Sequence, residues 1–196
     1  MAIEWSTRAN RSFSLAEAAQ RTEVLVAELL GRPAGRLSVQ VQEADRERLA
    51  DSRPSPIATE ELTRRRDPFG EPEPRSTHVR LTVPELPALA FVLIGRYMPR
   101  IEDDPHTGMV LTVSSARTNE SYVLSIAAIS AFAGLTGSEV MDESGYLKGE
   151  WLTPPGRLIE RLRVVEPAPS LAAAVDAVLA KTSLRRDHEP LTVEQL

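Results

Sequence analysis

The chain contains no cysteine. That excludes a disulfide framework and any thiolate metal site, and it suits a reducing compartment. Lysine is nearly absent too: Lys148 and Lys181 are the only two among 23 basic residues, the rest being arginine. Together with 15 prolines and abundant alanine, this bias points to a GC-rich bacterial genome. Aromatic residues make up only 5% of the chain, so the core must be built mainly from Leu, Val, Ile and Ala. No long hydrophobic run occurs. The longest, Leu86 to Gly95, is broken by Pro87 and is about half the length that spans a bilayer. The first residues, Met1-Ala2-Ile3-Glu4-Trp5, lack the apolar core of a signal peptide. The expectation is a cytoplasmic protein with no membrane span.

Several catalytic signatures are also missing. The chain has no Walker pattern, no Gly-x-Gly-x-x-Gly, no Gly-x-Ser-x-Gly elbow and no His-Glu-x-x-His. No metal or cofactor is expected, and no catalytic residue stands out.

What is present fits one domain. The 196 residues are 42% hydrophobic and 26% charged, ordinary values for a globular chain. The net charge of -5 is unevenly spread. Residues 101–150 carry Arg117 and Lys148 against eight acids, and the other segments nearly balance. Such an acidic segment disfavours nucleic acid and suits a basic protein partner.

The spacing predicts a helix over 14–30, with Ser14 and Glu17 as a capping box and Gly31 and Pro33 as the stop. Alternation predicts strands at 37–43, 78–83 and 109–114, with another at 139–142. Between the first two, residues 51–77 form a long Pro- and Arg-rich loop, expected to be mobile and solvated around Arg64-Arg65-Arg66. At most a short helix is expected there, near Thr59–Arg66. Pro84 and Pro87 lead into Ala88–Tyr97, read as a short helix; being apolar all round, it is consistent with either a buried helix or a buried strand. Residues 121–135 have almost no polar face and must lie across a sheet or at the centre of the core. Thr153 is expected to cap a helix over 154–163, and Ser170 one over 171–181. The result is an α+β domain over 1–182: a mostly antiparallel sheet of four to five strands, a buried helix at 121–135, and a polar tail at 183–196.

Two loops concentrate chemistry. Glu102-Asp103-Asp104-Pro105-His106 combines carboxylates with a histidine, a set able to hold a divalent ion or relay protons. Its proline and the following Gly108 also mark a surface turn. The second is Asp142-Glu143-Ser144-Gly145-Tyr146 with Glu150 and Trp151, where acids and aromatics sit together as they do where proteins grip one another. Glu102, Asp103, Asp104, Asp142, Glu143, Tyr146, Glu150 and Trp151 are the candidate partner-binding residues.

The stretch from Tyr122 to Asp142 ends Ala133-Gly134-Leu135-Thr136-Gly137-Ser138-Glu139-Val140-Met141-Asp142. An Ala-rich helix, Leu-Thr-Gly and a short strand ending in an acid resemble a segment of bacterial immunity proteins of polymorphic toxin systems and related α+β families. Many of those families have a second glycine where Ser138 stands. The resemblance implies a single cytoplasmic domain that binds and blocks a cognate toxin, and it carries over no catalytic residue. Non-catalytic protein binding is therefore the leading expectation. The alternatives are a metal-assisted hydrolase using the 102–106 region and a structural or adaptor subunit of a bacterial assembly.

Overall fold

A computed structural model describes residues 3–44, 55–70, 76–96 and 108–184. Among these, eight strands form one antiparallel sheet and five helices pack on it. The fold is a single α+β domain, as the patterning predicts. The strands are β1 (Glu4–Ala9), β2 (Gln40–Glu43), β3 (Ser55–Pro56), β4 (Thr77–Val83), β5 (Ala88–Arg96), β6 (Met109–Ser115), β7 (Val140–Met141) and β8 (Leu152–Thr153). Their order across the sheet is β3-β2-β4-β5-β6-β1-β7-β8. The helices are α1 (Leu15–Leu29), α2 (Thr59–Thr63), α3 (Asn119–Thr136), α4 (Pro155–Leu162) and α5 (Leu171–Leu179).

The all-apolar segment becomes α3, the centre of the molecule. Thr118 opens it, its side chain accepting from the Ser121 amide at 3.2 Å. Gly137 closes it at φ +69°, a left-handed conformation that costs glycine little. One side of α3 lies on β5, β6 and β1, and the other sides meet α1, α4 and α5. Its length therefore finds apolar neighbours all round, and Ile126, Ile129 and Phe132 are wholly buried.

Helix α1 begins as predicted. The Glu17 amide donates to Ser14 Oγ at 3.2 Å, and the Ser14 amide donates to Glu17 Oε2 at 2.9 Å. The Ser14 N–H first, then the Ser14 hydroxyl and the Arg65 guanidinium, hold the Glu17 carboxyl below the ordinary glutamate range against the opposing effect of desolvation. A carboxyl with a lowered folded-state pKa stabilises the fold above the ordinary range, and that contribution disappears as pH falls through the lowered value. Glu17→Gln should thus melt earlier than the parent at neutral pH, and the two melts should converge on acidification. Ser14→Ala should cost about 1 kcal/mol. Melting curves across pH check both, and a Glu17→Gln deficit that persists in acid would contradict the capping role.

The segment from 55 to 70 contains the short helix expected near Thr59–Arg66 and carries further structure besides. It forms β3, α2 and a backbone bridge in which Phe13 and Arg66 exchange hydrogen bonds at 3.2 and 2.7 Å. Arg66 is 1% exposed and pairs with Glu61, while Arg65 grips Glu17 Oε1 at 2.7 Å and the Ser12 carbonyl at 2.8 Å. Arg65 and the Arg66 backbone therefore tie this segment to the start of α1, while the Arg64 and Arg65 side chains stay about half exposed. Residues 51–54 and 71–75 fall outside the described residues.

Other expectations are corrected as well. Ala88–Arg96 is a strand, because it lies between β4 and β6 and pairs with both. Glu4–Ala9 is a strand too, with Trp5, Thr7 and Ala9 facing the core. β2 begins at Gln40, later than its alternation suggests, although Leu37 is buried. Thr153 does not cap α4. It belongs to β8, and its hydroxyl donates to the Glu150 carbonyl at 3.0 Å, while Pro154 occupies the cap position. Ser170 does cap α5, accepting from the Ala173 amide at 3.1 Å.

Candidate recognition surface

The candidate residues that the structure describes lie on the loop joining β7 to β8, at one edge of the sheet. A single buried carboxylate organises this loop. Asp142 Oδ1 accepts from the Trp5 indole at 3.2 Å and the Tyr146 amide at 3.3 Å, and Oδ2 accepts from the Leu147 amide at 2.7 Å. The chain folds back over this carboxylate through Gly145, at φ +67°. Leu147 then drops into the core at 2% exposure. Lys148 turns the chain out again at φ +52°, a left-handed value rare for a residue with a Cβ.

Outside groups fix the rest of the loop. The Ser183 amide donates to the Tyr146 carbonyl at 2.8 Å. Arg161 reaches from α4 to donate to the Leu147 carbonyl at 2.7 Å and the Lys148 carbonyl at 3.2 Å. Gly149 leaves room for this approach, since a Cβ there would lie 2.8 Å from the Arg161 guanidinium and push it aside. The Asp142 amide closes the hairpin on the Trp151 carbonyl at 3.0 Å. A cleft of about 490 Å³ lies between the loop and α4, its lining including Lys148, Glu150, Thr153, Arg157, Glu160 and Arg161. It carries three bases against two acids, and Glu150 and Arg157 face each other at 4.0 Å while largely exposed, a pair of little energetic weight.

The structure thus separates residues that look alike in sequence. Asp142 points inward and organises the loop, so it is not part of an accessible surface. Glu143, Glu150 and Trp151 are exposed on that same loop, and Tyr146 is half-buried beside them. Trp151 is 59% exposed and the adjoining Leu152 is 37% exposed, both large apolar side chains. Glu102, Asp103, Asp104 and His106 lie outside the described residues. Beneath the loop, the Tyr122 hydroxyl is buried without a hydrogen-bond partner, and burial raises its pKa above the ordinary tyrosine value despite the opposing pull of Arg117.

Trp5, Arg161 and Ser183 support the surface from distant parts of the chain, and sequence reasoning did not find them. Asp142 itself carried a readable signal: an aspartate three residues before a glycine often bonds the amides of its own turn. Among the described residues no group of three His, Asp or Glu side chains gathers as a metal site, and no helix is long and apolar enough to cross a membrane. Comparison of the chain with family models, curated proteins and solved structures finds no match.

Proposed function

We propose that this is a non-catalytic protein-binding protein of a bacterial cytoplasm that neutralises a toxin by covering its active site. The observation that supports this reading is the Trp151 side chain, exposed on a loop that is itself internally fixed. Tryptophan dominates binding energy where it fills a partner's pocket. A rigid presenting loop lowers the ordering cost of association. Glu143 and Glu150 flank it, so a basic rim around the partner's pocket would complement the surface and speed encounter. The resemblance of residues 122–142 to immunity proteins points the same way. The cytoplasm is where such a protein would meet its toxin.

The test is protection. The chain is co-expressed with the product of the gene next to its own, which this reading expects to be a toxin, and growth is measured. Protection by the parent and its loss in Trp151→Ala, with an unchanged melt, is the expected result. Equal protection by both would remove Trp151 from the interface, and no protection by the parent would remove the toxin reading.

A further inference from the structure

The helices cover one face of the sheet. On the opposite face, β5 is unusual. Ala88, Ala90, Val92 and Ile94 turn toward α3, yet Leu89, Phe91 and Leu93 on the other side are apolar as well. A strand with one wet face normally alternates apolar with polar residues, and a continuous apolar run marks a strand covered on both sides. Its neighbours extend the patch: Val110 on β6 lies beside Gly95, and Thr112 lies beside Leu93, which is 37% exposed.

Among the described strands β1, β4, β5 and β6, this face carries Glu4 and Arg8 on β1 and Arg80 on β4 as its carboxylate and guanidinium groups. One row of paired residues reads Glu4 on β1, Ser114 on β6, Phe91 on β5 and Arg80 on β4. An acid and a base thus stand at equal distances on either side of the β5–β6 seam. Stacked antiparallel sheets keep their strands within about 30° of each other. A two-fold axis along the seam, between two stacked copies, would set Glu4 of each copy over Arg80 of the other. It would also bring the Phe91 and Ser114 positions of the two copies together. Self-complementarity of this kind is what a two-fold interface demands. Gln42 Oε1 accepts from Arg80 Nε at 2.7 Å, which holds the guanidinium on this face, and Ser114 Oγ donates to Glu4 Oε1 at 3.1 Å.

We infer that the sheet face turned away from the described helices receives a second copy of this chain, giving a face-to-face dimer with Phe91 and Leu93 at its centre and two Glu4–Arg80 pairs at its rim. This surface is distinct from the Trp151 loop, and the inference stands or falls independently of the toxin reading.

The test is the mass of the full chain by light scattering and sedimentation over a concentration series. The parent is expected at the mass of two chains. Leu93→Glu, Arg80→Glu and Glu4→Arg should each shift it to one chain at concentrations where the parent is paired, with far-UV circular dichroism unchanged. The combined Glu4→Arg and Arg80→Glu exchange should restore the dimer, a rescue that a folding defect would not show. A parent that remains single throughout overturns the inference. So does a dimer that Arg80→Glu leaves intact, or an exchange variant that stays single.

Discussion

Replacing Phe132 with alanine is expected to destabilise the protein by about 3–5 kcal/mol. The ring is fully buried on α3, where the helix is enclosed by the sheet and by α1. It meets Phe13 edge-on, with ring centroids 5.6 Å apart and planes at 84°. Removing it leaves a void that surrounding Leu, Val and Ala side chains, already packed on rigid elements, have little freedom to fill. At about 2–4 °C per kcal/mol for a domain of this size, the melting temperature should fall by about 6–20 °C. Phe13 also makes the bridge to Arg66, so the clamp that holds residues 55–70 should loosen with it. Increased amide exchange at Arg66 would report that coupling. Phe132→Leu, which keeps most of the volume, should lose much less. An alanine variant that melts with the parent would mean α3 is not the packed centre of the fold.

Asp142→Ala should cost a similar amount, about 3–5 kcal/mol, because buried donors left without an acceptor cost about 1–3 kcal/mol each. Three donors depend on this carboxylate: the Trp5 indole and the Tyr146 and Leu147 amides. Asp142→Asn should recover only part of the loss, since its NH2 group faces at least one of those donors. The local effect is also specific. Trp5 is buried and Trp151 is exposed, so the near-ultraviolet signal of Trp5 should change while the loop begins to exchange its amides. A variant that retains both stability and the Trp5 signal would show that the loop is held by Arg161 and Ser183 alone.

These two sites show what the amino-acid pattern discloses and what it conceals. Helices α1 and α3 are legible because their signals are local: a Ser-x-x-Glu box at one end of α1, and a long apolar run closed by Gly137 in α3. β5 is ambiguous because period-2 alternation disappears when both faces of a strand are apolar, leaving a run that fits a buried helix equally well. β1 was missed because its inward residues, Trp5, Thr7 and Ala9, include a threonine and an alanine, too weak a stripe to read. The hold of Arg65 on Glu17 and of the Arg66 backbone on Phe13 is not legible, because those partners are some fifty residues away and only tertiary structure brings them close.

The candidate surface is half legible. Its acids and aromatics were found by composition, which does not tell an inward aspartate from an outward glutamate. Asp142 and Glu143 are adjacent, yet one organises the loop from within and the other faces solvent. Burial therefore separates the stability of the loop from its use.

That separation can be measured directly by binding kinetics between the chain and the product of the gene next to its own. Trp151→Ala is expected to leave the melt nearly unchanged and to raise the dissociation rate strongly. Charge reversal at Glu143 and Glu150 is expected mainly to slow association and to weaken its salt dependence. Unchanged dissociation in Trp151→Ala, with binding instead abolished by substitutions elsewhere on the surface, would contradict the proposal that this loop is where the protein meets its partner.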